Sequence, residues 1–209
     1  MTTETNLIAI GGCSCSGKTT LARHLAQTLG GIVFPLDSYY RDLSQLAPEA
    51  RARTNFDAPA AIESELLLRH LGELAAGRAI DRPVYDYTTH TRSPKTISVP
   101  AGGTVLLEGL FVLYWPGIRD LCSLRAFVDV DEETCLARRI ARDVAERGRT
   151  EQSVRSQYEE TVRPMARRYV IPTLEFADVV VPGDGPVAHA AELVFRLLDR
   201  SSCSSLSRP

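Results

Sequence analysis

Gly12-Cys13-Ser14-Cys15-Ser16-Gly17-Lys18-Thr19-Thr20 carries the spacing G-x-x-x-x-G-K-[ST], a pattern whose residue types suit phosphate binding. Glycines let the backbone curl until several N–H groups face one anion, and a helix beginning at the end of the loop adds the positive end of its dipole. Lys18 is then placed to reach β and γ phosphates, and Thr19 to ligate Mg²⁺. The lysine stands out, because Lys18 and Lys95 are the only lysines beside 22 arginines.

Asp37 ends the second apolar run, in Pro35-Leu36-Asp37-Ser38-Tyr39-Tyr40-Arg41. A carboxylate leaving a buried strand beside a phosphate loop can orient and deprotonate an alcohol attacking a γ-phosphate, or help to hold Mg²⁺. An Asp that only caps a turn would read the same way. Two adjacent tyrosines cannot both face inward from a strand, so one of Tyr39 and Tyr40 is expected to face the cleft. Glu108 finishes Thr104-Val105-Leu106-Leu107-Glu108-Gly109. An acid at the end of an apolar strand is how P-loop enzymes hold Mg²⁺, directly or through water, and Gly109 lets backbone approach it.

A third cluster is cationic. Residues 132–146 read as a helix with Asp131 as N-cap and Glu132 and Glu133 in its first turn. Those features leave Arg138, Arg139, Arg142, Arg147 and Arg149 unexplained, since Arg138 and Arg142 repel at i, i+4. Arginines beside a phosphate loop suit a lid that closes on phosphates and supplies charge to a transition state. A solvated basic face is the plainer alternative.

The elements that must position these groups follow from hydrophobic patterning. Short unalternated apolar runs at residues 7–10, 32–36, 105–107, 126–130 and 179–181 suit strands buried on both faces of a parallel sheet. Helical patterns cover residues 20–29, 60–76, 132–146, 153–167 and 187–198. The class is α/β, a P-loop NTPase-type parallel sheet covered by helices on both faces. Active groups in such sheets gather beyond the carboxyl ends of the strands, where Gly12, Asp37, Glu108 and Asp131 all fall. Residues 78–100 break the rhythm with Pro83, Pro94 and Pro100 and an alternating Val84-Tyr85-Asp86-Tyr87, which predicts a small β-ribbon insertion. Residues 1–200 are expected to form one domain, with an Arg-rich helical lid at about 139–157. Residues 201–209 are too poor in apolar side chains to pack and are expected to be a disordered tail.

A chain of 209 residues with 44% apolar content can bury a full core. Its net charge of -2 excludes recruitment of nucleic acid or an anionic membrane by a whole-protein field. Five scattered cysteines, without a signal peptide or a long apolar run, predict a soluble protein of a reducing compartment, the cytoplasm. Cys13 and Cys15 make a C-x-C pair with no second pair, which is poor evidence for a metal. A thiol near a helix N-terminus can have a lowered pKa and react with oxidants.

Five blocks together resemble the uridine-cytidine kinase family. They are residues 12–20, Asp37-Ser38-Tyr39-Tyr40, Asn55-Phe56-Asp57-Ala58-Pro59, Tyr85-Asp86-Tyr87-Thr88-Thr89-His90-Thr91-Arg92, and residues 139–149. Their order and spacing match across residues 7–182, and the middle three blocks are more specific than the phosphate loop. The resemblance implies transfer of the γ-phosphate of ATP to the 5′-hydroxyl of uridine or cytidine. It implies Asp37 as general base, with Thr19, Asp37 and Glu108 around Mg²⁺. Asp57 would hold the ribose hydroxyls with Arg142 and Gln157, and a vicinal diol suits a carboxylate that accepts two short hydrogen bonds. Tyr85 and His90 would read the pyrimidine edge, with Tyr40, Phe56 and Tyr87 lining the acceptor site. Lys18, Arg139, Arg147 and Arg149 would face the phosphates. A homo-oligomer, a tetramer in form, is implied as well.

Two other readings stay open on the residues alone. A related small-alcohol kinase, phosphoribulokinase-like or nicotinamide riboside kinase-like, would want more cations at its acceptor pocket if its substrate were phosphorylated, whereas Phe56, Tyr85 and His90 suit a neutral aromatic base. A nucleotide-dependent switch protein would signal through shape, yet the Asn-Lys-x-Asp guanine motif is missing from the sequence.

Overall fold

Leu7, Ile8, Ala9 and Ile10 point alternately to opposite faces of one strand, as the twofold repeat of a strand requires, and all four are buried. That arrangement needs a layer of structure on each side. The computed structural model describes residues 5–205 and supplies both layers. In chain order the elements are β1 (Thr5–Gly12), α1 (Lys18–Leu29), β2 (Ile32–Pro35), α2 (Pro48–Ala52), α3 (Ser64–Ala75), β3 (Ile80–Asp86), β4 (Thr91–Val99), β5 (Gly103–Glu108), α4 (Pro116–Leu121), β6 (Leu124–Asp129), α5 (Glu132–Arg147), α6 (Glu151–Gln157), α7 (Arg163–Met165), β7 (Val179–Pro182) and α8 (Val187–Ser205).

The sheet order is β2-β5-β1-β6-β7, with every neighbouring pair parallel. Leu7 and Ala9 join Phe34, Val105, Leu107 and Phe127 in a core closed by Leu67, Leu71 and Leu74 of α3. Ile8 and Ile10 join Leu106, Ala126 and Val128 in a second core closed by Leu21 and Leu25 of α1 and Ala190 and Val194 of α8. The α/β class with both faces covered is therefore as the apolar runs required. β3 and β4 form the separate antiparallel hairpin that the prolines and alternation between residues 78 and 100 predict. No helix of the described residues is long and apolar enough to cross a membrane.

Some boundaries differ from the sequence expectation for local reasons. The helix expected from residue 60 starts at Ser64, because Pro59 opens a separate 3-10 turn and Ile62 is drawn into an antiparallel bridge with Tyr40. α6 begins at Glu151, where Thr150 accepts from the Ser153 amide as its N-cap. The chain then stays helical through π-type turns at Tyr158–Val162 and Ala166–Val170. The short helices α2 and α4 carry too few residues to show a periodic pattern. α8 runs to Ser205, and the remainder of the expected tail lies outside the described residues.

Strand register does the work of positioning. Ile10 of β1 stands opposite Glu108 of β5, and Pro35 of β2 stands opposite the same Glu108. β2 and β5 thus end at one level beside Ile10, and β1, at the point where the strand order reverses, runs on to Gly12. Gly109 makes the junction possible, since a Cβ there would lie 2.4 Å from Leu36 Cβ. Gly109→Ala should therefore displace the end of β2 and cost about 1–3 kcal/mol in urea unfolding. An unchanged unfolding midpoint would show that Leu36 yields without cost.

Candidate active site

The loop after β1 takes its shape from two glycines. Gly12 and Gly17 have φ of 140° and 106°, and a Cβ on Gly12 would stand 2.5 Å from the Val128 carbonyl. Cys15 also adopts a left-handed φ, 65°, which a residue with a side chain adopts only when its surroundings hold it there. Lys18 opens α1, and its Nζ donates to the Cys13 carbonyl at 2.7 Å. Thr19 Oγ1 donates to Glu108 Oε1 at 3.2 Å, which ties the loop to the end of β5. Ser16 Oγ is buried with no hydrogen-bond partner. The reactivity expected of a thiol here is corrected for Cys13: burial is the main influence and pushes its pKa up, against the pull of Lys18.

Asp37 sits in a 3-10 turn, Leu36–Tyr39, directly after β2. Burial is the main reason its pKa is pushed up to about 6, Glu108 adds to the effect, and Lys18 opposes it. Of the two tyrosines that follow, Tyr39 is wholly in the core and its hydroxyl meets His70 Nδ1 at 2.8 Å. Tyr40 lines the cleft. Around it lies an aromatic nest, with Phe56 and His90 stacked at 4.7 Å. Tyr40 meets Phe56 at 5.2 Å and Tyr85 at 5.3 Å, and Tyr85 meets Tyr87 at 5.4 Å. The Tyr85 hydroxyl is buried without a partner. Burial holds the His90 imidazole below its usual pKa, which favours its neutral form. Burial pushes the Asp57 carboxyl up, opposed by Arg139 and Arg142.

The arginines are organised by one carboxylate. Asp143 of α5 is fully buried and lies within ion-pair reach of Arg142 at 2.8 Å, Arg147 at 3.3 Å, Arg149 at 3.5 Å and Arg139 at 3.7 Å. Gln157 of α6 accepts from both Arg139 and Arg149 through its side-chain carbonyl. Arg139 also donates to Ser14 Oγ at 3.1 Å. Arg138 donates to the Gly183 carbonyl at 2.8 Å and the Cys15 carbonyl at 3.4 Å, which joins α5 to the phosphate loop and to the turn after β7. Repulsion among the like charges is thus offset by a buried acid and by main-chain carbonyls.

These parts line one cleft of about 1390 Å³. Ser14, Cys15, Gly17, Lys18, Thr19 and Thr20 form one wall, Asp37 and Glu108 the floor, and the aromatic nest with Asp57 a second wall. Arg139, Arg142, Arg147, Arg149 and Gln157 complete the lining. Among the singled-out residues, Gly12, Cys13 and Ser16 do not line the cleft: they shape the loop from behind. Thr19, Asp37 and Glu108 offer hard oxygen donors suited to Mg²⁺. The described residues hold no group of three or more His, Cys, Asp or Glu side chains that could cage a metal.

Two residues were assigned no role from the sequence: Asp143 and Arg92. Asp143 had a signal, four residues from both Arg139 and Arg147, a helical spacing that pairs opposite charges. Arg92 had none, because its partners come from distant segments. Asp143→Asn should leave the guanidinium groups without their shared anion and cost about 1–4 kcal/mol in urea unfolding. An unaltered stability would mean that the cluster is held by the main-chain and Gln157 contacts alone.

The model of the Phosphoribulokinase / Uridine kinase family matches residues 7–188. The uridine kinase of Brevibacillus brevis is 44% identical over 182 residues, 86% of this chain and 85% of that protein. The uridine kinase of Escherichia coli is 44% identical over 186 residues, covering 86% and 87%, and that of Deinococcus deserti is 46% identical over 182 residues, covering 86% and 88%. Among solved structures, D-glycerate 3-kinase from Cryptococcus neoformans superposes with a TM-score of 0.58 at 15% identity, over 86% of this chain and 87% of that one, a likeness of fold alone. A family model spanning nearly the whole sheet, together with relatives above 40% identity, places this chain in the Phosphoribulokinase / Uridine kinase family.

Proposed function

We propose that this chain is an ATP-dependent kinase that moves the γ-phosphate of ATP to the 5′-hydroxyl of uridine or cytidine and releases the monophosphate. Relatives that are uridine kinases, 44% identical over 86% of the chain, support the activity. The observation that carries it structurally is the place of Asp37, in one cleft with a phosphate loop on one side and an aromatic nest on the other.

In this reading the loop amides and Lys18 bind the donor phosphates. Thr19, Asp37 and Glu108 would hold Mg²⁺, which when bound offsets phosphate charge. Asp57, Arg142 and Gln157 hold the ribose hydroxyls. Tyr85 and His90 read the pyrimidine edge, and the partnerless Tyr85 hydroxyl supports that role. Tyr40, Phe56 and Tyr87 pack around the base. Arg139, Arg147 and Arg149 face the transferring group and stabilise its charge. Asp37 accepts the proton of the 5′-hydroxyl as that oxygen attacks the γ-phosphorus in line. The same reading carries a homotetramer in the cytoplasm.

Asp37→Asn tests the assignment of the base. Uridine affinity should change little by calorimetry, while kcat for ADP release falls roughly 10²- to 10⁴-fold; near-normal turnover would remove Asp37 from the chemistry. The raised pKa makes a separate prediction for the protein free of Mg²⁺ and nucleotide. The folded state holds the Asp37 proton more tightly than the unfolded chain does, so the ionised side chain costs stability above about pH 6. That cost disappears as pH falls toward the unfolded value of 3.8. Asp37→Asn should therefore stabilise the protein at pH 8 by about 1–3 kcal/mol and have little effect at pH 4. Equal effects at both pH values in thermal unfolding would contradict the burial of an ionisable group there.

A further inference from the structure

Arg92 lies on the hairpin, outside the cleft lining, and its donors converge on the segment that bears Asp37. Its Nε donates to the Tyr40 carbonyl at 3.1 Å and its Nη2 to the Tyr39 carbonyl at 3.3 Å. Its Nη1 donates to Glu63 Oε2 at 2.6 Å, and its backbone N–H to Asp42 Oδ1 at 3.1 Å. The guanidinium is mostly buried, with 18% of its side chain exposed. In the hairpin register Arg92 stands opposite Tyr85, whose ring touches that of Tyr40. One cross-strand pair therefore meets the acceptor wall through a tyrosine and the Asp37 turn through an arginine.

We infer that Arg92 is a positioning residue: it fixes the turn of Asp37 to the hairpin that forms the acceptor wall, so that a nucleoside seated against Tyr85 has its 5′-hydroxyl presented to the Asp37 carboxylate. The turn is short and bears no side-chain cap; at its end the Tyr39 carbonyl accepts from the Glu63 amide as well as from Arg92, and the Tyr40 carbonyl accepts from Arg92. A planar fork with several fixed donors can hold two carbonyls and a carboxylate together, whereas a lysine offers one flexible point of charge. A shift of about 1 Å in a reacting group can cost on the order of 10² in rate.

The inference rests on Asp37 acting as the base, and a double-mutant cycle separates the two claims. In the otherwise wild-type enzyme, Arg92→Lys should lower kcat on the order of 10²-fold while uridine affinity changes by less than about 3-fold. In an Asp37→Asn background the same substitution should lower kcat by less than about 3-fold, because a base that is no longer present cannot be misplaced. Thermal unfolding of Arg92→Lys checks that the chain is folded under the assay conditions. A kcat within about 3-fold of wild type for Arg92→Lys, or an equal loss in both backgrounds, would overturn the positioning role. Near-normal turnover of Asp37→Asn alone would instead strike at the base assignment and take this inference with it.

Discussion

The parallel register of three strands underlies the whole site. β2 and β5 end level with one another beside Ile10 of β1, because Ile10 and Pro35 both stand opposite Glu108, and β1 runs on to Gly12. The groups that follow those strands, the phosphate loop, the Asp37 turn and Glu108, therefore emerge along a single edge. A slip of one residue would turn every buried side chain of a strand to the other face. With apolar cores on both sides of the sheet such a slip exposes one set and buries the wrong one, so the hydrophobic packing of Leu7, Ile8, Ala9 and Ile10 also enforces the alignment of the reactive edge.

Electrostatics at that edge is arranged as two opposed sets. Asp37, Glu108 and Asp57 face the same cleft, and burial raises the pKa of Asp37 and Asp57. Lys18 and the arginines of α5 face them from the phosphate side. Neither set would be tolerable alone in a partly desolvated cleft, since buried charge is costly unless paired. Asp143 serves that purpose behind the arginines, and the main-chain carbonyls of Cys13, Cys15 and Gly183 serve it for Lys18 and Arg138. The arginine cluster of α5 and the phosphate loop are therefore joined by direct bonds through Arg138 and Arg139.

The hairpin joins the aromatic nest to the turn that bears Asp37. Tyr85, Tyr87 and His90 come from it or its tip, and Arg82 and Arg92 return from the same strands to Ser38, Tyr39 and Tyr40. An insertion into an α/β sheet can thus act as part of the site while contributing no strand to the sheet itself.

Local signals made much of this legible in the chain. Buried parallel strands require continuous apolar runs, so the stretches at residues 7–10 and 105–107 declare themselves, and the phosphate loop declares itself through glycines whose positive φ values are a local requirement. Prolines with alternating polarity likewise revealed the hairpin. The Tyr40–Ile62 bridge, the late start of α3, the Arg92 contacts and the raised pKa of Asp37 were decided only by tertiary structure. Each depends on a partner brought from a distant part of the chain, or on how much water packing leaves at a carboxylate. Residue types and spacing determine which chemistry is available; folding determines which groups meet and what their surroundings do to their charge.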